Sequence, residues 1–277
     1  MREQAIVDGL WDRLAPLLPQ RPRRFRHPGR LRRDDRAALA GILYVLRTGI
    51  GWQDLPTAAF GVSGSTCWRR LAEWHEQGSW QRLHEVLLAE LRAVGALDLA
   101  HAVVDSSHVR ALKKGDHTGP SPVDRARPGS KHHLITDAGG VPLAVILTGG
   151  HRNDVTQLLP LIEAIPPIRG RRGRPLRRPK RIYADRGYDH DKYRRLVRQC
   201  GITPVIARRG TVHGSGLGRL RWVVERTLAW LHAFKRLRTR HERRADIHQA
   251  LLSLACSTIC LRRLYSHRGA PSAAARP

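Results

Sequence analysis

The chain is poor in cysteine, in acids and in long apolar runs. Its four cysteines, Cys67, Cys200, Cys256 and Cys260, are scattered through 277 residues. Only Cys256 and Cys260 lie close, at helical spacing and with no CxxC or neighbouring histidine. A zinc site or disulfide framework is therefore not expected, and the thiols read as reduced and buried. No apolar run approaches the ~18 residues needed to cross a bilayer, so no membrane association is expected. The N-terminal MREQAIVDGLWDRL carries acids within an amphipathic pattern, unlike a signal peptide, and the expected location is the cytoplasm. Acids number 23 against 50 lysines and arginines, for a formal net charge of +27. Self-repulsion on that scale disfavours a compact state unless a polyanion offsets it, which points to nucleic acid as the partner. A hydrophobic fraction of 41% excludes wholesale disorder, and the length suits one large domain or two modest ones.

What is present divides near residue 98. Before it the pattern is helical. Ile6, Leu10, Leu14 and Leu17 form one apolar face, and RPRRFRHPGRLRR (21–33) is a polar connector. Asp34 or Asp35 starts a helix that ends at Gly49, and Ser63 or Ser65 caps another that carries Arg69 and Arg70 near its start. Paired helices joined by tight glycine turns suggest a helix-turn-helix module, with these two arginines facing DNA. Beyond residue 98 short β-type runs take over: HAVVDSSHV, then KHHLITD and VPLAVILTGG joined as a hairpin through residues 137–140. Asn153 or Asp154 caps a helix stopped by Pro166 and Pro167. RGRRGRPLRRPKR (169–181), with eight basic residues in thirteen, reads as a surface loop. RIYAD, a helix, ITPVIA, a long helix from 217 to 237 and a last apolar helix complete the domain.

Strand, hairpin, helix, strand, helix, strand, helix is the order of a ribonuclease H-like fold. The expected class is therefore α/β, a mixed sheet with crossover helices after a small all-helical N-terminal domain. The expected divisions are 1–97, 98–265 and a flexible tail, 266–277. In a right-handed arrangement the first and fourth strands become neighbours. Asp105 and Asp185, at the ends of AHAVVD and RIYAD, would then face each other across about 4.8 Å of backbone. A third acid, Glu225, lies on the long helix opposite a stripe of Val223, Thr227, Trp230, Leu231 and Phe234, near Arg221. Taken singly, each acid also reads as a turn former or a solvated partner of Arg221.

Together the three suit metal chemistry. Magnesium takes hard oxygen ligands, and two ions about 3.5–4 Å apart can serve both the attacking and leaving oxygens of an in-line displacement. Lys131, Arg186, Arg221, Arg226 and Lys235 are candidates to offset phosphate charge. A serine-nucleophile scheme using Ser106 or Ser107 with His108 lacks an orienting acid and an oxyanion hole.

GILYVLRTGIGWQDLP with STCWRRLAEWHEQGSW, GSKHHLITDAGGVPLAVILTGGHRND, IYADRGYD and RWVVERTLAWLHAFKRLRTRHER together carry a resemblance. Over residues 7–264 the chain resembles the IS5-group insertion-sequence transposases of the IS4-like DDE class. The resemblance implies a catalytic, metal-binding triad at Asp105, Asp185 and Glu225, using two magnesium ions with manganese as a substitute. It implies cleavage of element ends and transfer of the 3′-OH strands to target DNA. The implied partners are double-stranded DNA, as terminal inverted repeats and target, and a second copy in a synaptic homodimer. A bacterial, nucleoid-associated setting follows. In the related Y-R-E-K signature, Arg221 and Glu225 fit, but the Tyr position is Gly218 and the Lys position is His232. Lys235 or Arg236 would supply that charge one turn on. The alternatives are a catalytically silent DNA-binding derivative and a ribonuclease H-like nuclease or resolvase.

Overall fold

The computed structural model describes residues 3–20, 25–27, 31–210 and 218–269. Much of the connector (21–24 and 28–30) lies outside the described residues, as do 211–217 and 270–277.

Helix α1 (Glu3–Leu14) buries Ile6, Val7, Leu10 and Leu14. Helix α2 (Asp35–Thr48) starts at Asp34, whose carboxylate accepts from the N–H groups of Arg36 and Ala37, and stops at Gly49, whose φ of 77° favours glycine. A 3-10 turn over Trp52–Asp54 and the single-turn α3 (Thr57–Phe60) follow. Ser63, not Ser65, caps α4 (Gly64–Glu76) by accepting from Thr66 N–H. The tight helix pair is thus α3 and α4, with α3 only one turn long, because 49–63 separates α2 from α4. In α5 (Ser79–Ala93), Trp80 meets Trp74 edge to face at 5.4 Å and donates to the Leu71 carbonyl at 3.1 Å.

The sheet contains β1 (His101–Ala111), β2 (Gly119–Pro120), β3 (Pro128–Asp137) and β4 (Pro142–Gly149). After α6 (Leu158–Glu163) come β5 (Arg181–Ala184), α7 (Asp191–Gln199), β6 (Thr203–Ile206) and α8 (Gly218–Ala233). Then α9 (Lys235–Arg238), β7 (Thr239–Arg240) and α10 (Ala245–Gly269) close the chain's described part. The order is β2-β3-β1-β5-β6, with β4 also on β3 and β7 on β1. β1, β3 and β4 are antiparallel, whereas β1, β5 and β6 are parallel. This is the mixed ribonuclease H-like sheet that the element order implies, with the first and fourth main strands adjacent.

The β4 edge is closed by side chains. Gln249 of α10 accepts from Leu147 N–H at 3.1 Å and donates to the Val145 carbonyl at 3.0 Å, as a neighbouring strand would. His84 of α5 meets the Pro142 carbonyl at 2.8 Å. One apolar core therefore runs without a break from α1, α2, α4 and α5 through α10 to the sheet.

Three expected elements differ. The long helix does not reach residue 237: Phe234 turns extended (φ −74°, ψ 105°), and α9 restarts at Lys235. The segment after Asn153 is a 3-10 turn (Asp154–Gln157) followed by the short α6, not one helix. The tail expected from 266 is helical through Gly269, since α10 continues to that residue. Among the described residues, no helix is long and apolar enough to cross a membrane.

Candidate active site

Asp105 is not at the end of its strand. It is the fifth residue of β1, opposite Leu134 of β3, and β1 runs on to Ala111. What ends near it is the parallel ladder with β5, whose last pair is Val103 with Tyr183. Continuing that offset brings Asp105 level with Asp185. The apolar run ends at Asp105 because β1 loses its parallel neighbour there, and the uncovered edge receives α8 instead.

Asp185 directly follows β5 and starts the 3-10 turn Arg186–Tyr188, accepting from Gly187 N–H at 2.8 Å. Arg209 braces this turn from outside, donating to the carbonyls of Arg186 at 3.0 Å and Gly187 at 3.2 Å. Arg194, buried in α7, holds Asp189 at 2.7 Å. The carboxylate of Asp185 is thus set on a turn with little freedom.

Helix α8 turns Val223, Val224, Thr227, Leu228 and Leu231 inward. Glu225 lies on the other side, with its side chain 57% exposed. Arg221, one turn earlier, reaches Glu225 at 3.5 Å and Asp105 at 4.0 Å, so one guanidinium links helix and strand. Burial pushes the Asp105 carboxyl up to about 6; Ser106 N–H and Arg221 oppose the rise, whereas Asp185 and Glu225 add to it. All three acids therefore share one electrostatic neighbourhood. Trp230, expected within the apolar stripe, is instead 37% exposed. The buried arc is centred on Val224 and Leu228, which leaves Trp230 outside.

The basic candidates are not equivalent. Arg69 is exposed on α4, while Arg70 is held by Asp35 at 2.8 Å and Glu73 at 3.0 Å. Lys131 is bound to Asp154 at 2.9 Å and to the Arg152 carbonyl at 2.9 Å. Arg226 lies between the Trp222 and Trp230 rings, 4.4 and 4.6 Å from their centroids, and donates to the Gly139 carbonyl at 2.7 Å. Arg186 is half-buried in the turn after Asp185, and Lys235 is exposed at the start of α9. Arg236 cannot stand in for the missing signature lysine: it is buried against Glu242 at 2.6 Å.

One residue and one pairing escaped the sequence reading. Tyr188 is 1% exposed, and its hydroxyl lies beside the Ser106 side chain in a loose contact. Burial, followed by Asp154, Asp105 and Asp185, holds that phenol well above its usual range, so it lies beneath the acids. Its place in ADRGYD was the available signal. The Ser107 hydroxyl meets His232 of α8 at 3.2 Å, rather than His108; nothing in the spacing of residues 107 and 232 announces that pair.

Among the described residues, no three His, Cys, Asp or Glu side chains stand as a ready metal cage. The donor set nevertheless suits a hard divalent cation: carboxylate oxygens, one of them resisting ionisation because it is buried and lies near two other acids. Arg221 supplies the only cation bridging two of the acids there among the described residues.

Residues 6–84 match the family described as "Putative transposase of IS4/5 family", and residues 97–260 match "Transposase DDE domain". The chain is 71% identical over 143 residues to a protein of Burkholderia cepacia named "Putative transposase for insertion sequence element IS402", covering 52% of this chain and 68% of that one. A second protein of that organism, "Insertion element IS402 uncharacterized 16.2 kDa protein", is 51% identical over 123 residues, covering 44% and 84%. Weak likeness extends to the crystal structure of a pre-cleavage Mos1 transpososome, at 12% identity and a TM-score of 0.32, over 90% of this chain and 83% of that one.

Proposed function

This chain belongs to the DDE transposase family, and on that premise we propose that Asp105, Asp185 and Glu225 are its catalytic acids. They serve to cut the ends of an insertion sequence and join the freed 3′-OH strands to target DNA. The observation that supports this most is the pairing of Arg221 with both Asp105 and Glu225, beside a strand register that levels Asp105 with Asp185. Nothing in the fold requires three acids in one place; their mutual repulsion costs stability.

Transposases of this family use divalent metal ions; here the three carboxylates would be the donors for magnesium, or manganese in its place, and the bound metal would supply Lewis-acid chemistry at the attacking and leaving oxygens. The chain's own residues do the rest. Asp185 is fixed by its turn, and Asp105 by a central strand. Arg221 is placed to exchange a carboxylate for a phosphate oxygen as DNA enters, and Arg186 adds charge beside Asp185. Residues 98–265 carry this chemistry, while 1–97 recognise the terminal repeats through the face around Arg69. Because the apolar core is continuous, this division is one of roles rather than of separate folding units. Double-stranded DNA is the substrate, and a homodimer holds two ends in synapsis.

The test incubates the full chain with a duplex carrying the element's own terminal repeat and a target plasmid. Nicking and strand joining are expected with magnesium or manganese and not with EDTA. Cutting without any joining would favour the nuclease reading, and cutting in EDTA would overturn the metal site.

Tyr188 offers a finer check. Its hydroxyl is buried, with Ser106 as its neighbour and the acids Asp105, Asp154 and Asp185 nearby. If that hydroxyl orients the acids around an ion, Y188F should raise the magnesium concentration needed for half-maximal cleavage by about tenfold. The melting temperature should move by only a few degrees, since one weak contact to Ser106 is lost. A lower melting temperature with unchanged magnesium dependence would make Tyr188 a packing residue only.

A further inference from the structure

The arginine-rich segment between α6 and β5 is built, not loose. Ile168 is fully buried and exchanges two backbone hydrogen bonds with Leu176, at 2.8 and 2.9 Å, which closes the loop 169–175. Three arginines pin it through carbonyls. Arg92 of α5 donates to Ile168 at 2.6 Å, Arg171 donates back to Arg92 at 2.9 Å, and Arg178 donates to Cys200 at 2.8 Å. Gly170 (φ +100°) passes so close to the Ala89 carbonyl that no side chain would fit.

What this scaffold displays is charge. Arg169, Arg172, Arg174 and Arg177 are exposed, and none has an acidic partner among the described residues. Lys180 and Arg181 extend the exposed row into β5. Like charges held on a fixed loop repel one another, and a polyanion of matching extent relieves that repulsion while releasing the small counterions that otherwise screen it. The loop also sits at the far end of β5 from Asp185. The four residues of that strand separate the two by about 13 Å at ~3.3 Å per residue.

We propose that loop 169–177 is a second docking surface for duplex DNA, gripping backbone phosphates away from the phosphodiester under attack. Arginine suits this role because its planar fork binds phosphate oxygens in pairs. The contact is independent of sequence and adds to affinity and to its salt dependence. The proposal rests on the reading of this chain as a DNA transposase, but not on which acids are catalytic.

The test is the binding of the full chain to a duplex of random sequence, measured in EDTA over a range of salt concentrations. Each phosphate contact contributes about −0.9 to the slope of log K against log salt. R169Q/R172Q/R174Q/R177Q is expected to flatten the slope by about 3 to 4. The corresponding all-lysine variant should restore most of it. R195Q/R198Q, on the exposed face of α7, lowers net charge without touching the loop and should leave the slope unchanged. An unchanged slope in the quadruple variant overturns the proposal. So does an equal loss per charge in the α7 control, which would implicate net charge alone. A loss confined to single-stranded DNA or RNA would also overturn it. Because no cleavage is read, failure here leaves the catalytic assignment standing, and loss of cleavage on changing the acids leaves the loop untouched.

Discussion

Replacing Asp105 with Asn is expected to lower strand cleavage by at least on the order of 10³-fold while leaving binding of the terminal repeats intact or tighter. Asn keeps the shape and loses the charge that holds a cation, so the chemistry fails without a change of fold. Binding persists because the cleft receives a polyanion, and one negative charge fewer repels it less. The stability effect runs opposite to the activity effect. With its folded carboxyl near 6, above the unfolded value, Asp105 contributes stability that is fully present below about pH 4 and lost as pH rises through about 6. The ionised side chain therefore costs on the order of 2–3 kcal/mol at neutral pH. D105N should consequently melt several degrees above the parent at pH 7 and show no advantage at pH 4. Such a trade marks a residue kept for function. Equal loss of binding and cleavage, with normal turnover per bound complex, would remove Asp105 from the catalytic set. D185N and E225Q are expected to share the loss of cleavage.

The second large effect lies away from the acids. Glu242 is buried, with its side chain 3% exposed, and holds Arg236 at 2.6 Å; His248 stands 3.8 Å away. Arg236 also donates to the Gly49 and Ile50 carbonyls at 3.3 and 2.8 Å, so this one guanidinium joins α9 to the end of α2. Glu242→Ala would leave a buried cation without its anion, a change that costs about 3–5 kcal/mol. A melting temperature lower by roughly 10 °C is expected. The paired substitution R236M/E242L should recover most of that, because it removes both charges. A single variant with unaltered melting would show that water reaches Arg236 and that the pair holds nothing together. Burial raises the Glu242 carboxyl, but His248 and Arg236 together outweigh it and bring it down to about 2. A depressed carboxylate contributes stability present above about pH 4.5 and lost as pH falls through about 2. Acid unfolding of the parent should therefore include a component in that window that E242A lacks.

Much of the architecture was legible because its causes are local. Asp34 caps a helix and Gly49 ends it because capping needs only neighbours in the chain. Short β-type runs joined by the turn at 137–140 marked β3 and β4, and the handedness of crossovers made β1 and β5 adjacent. The break at Phe234 was not legible. Its residues favour a helix throughout, and Arg236 is drawn instead to Glu242 and to carbonyls of α2.

The sequence by itself determined the kind of protein this is: element order, three acids in their order, and an excess of positive charge that calls for a polyanion. Tertiary structure alone decided which charges remain available. Arg70 and Lys131 are held by acids 35 and 23 residues away, and Arg226 by a carbonyl 87 residues away, whereas the loop around Arg172 keeps its charge exposed. The physical reason is range. Caps and periodicities are set within a few residues along the chain, whereas the partner of a charge is set by whatever the fold brings within about 4 Å of it.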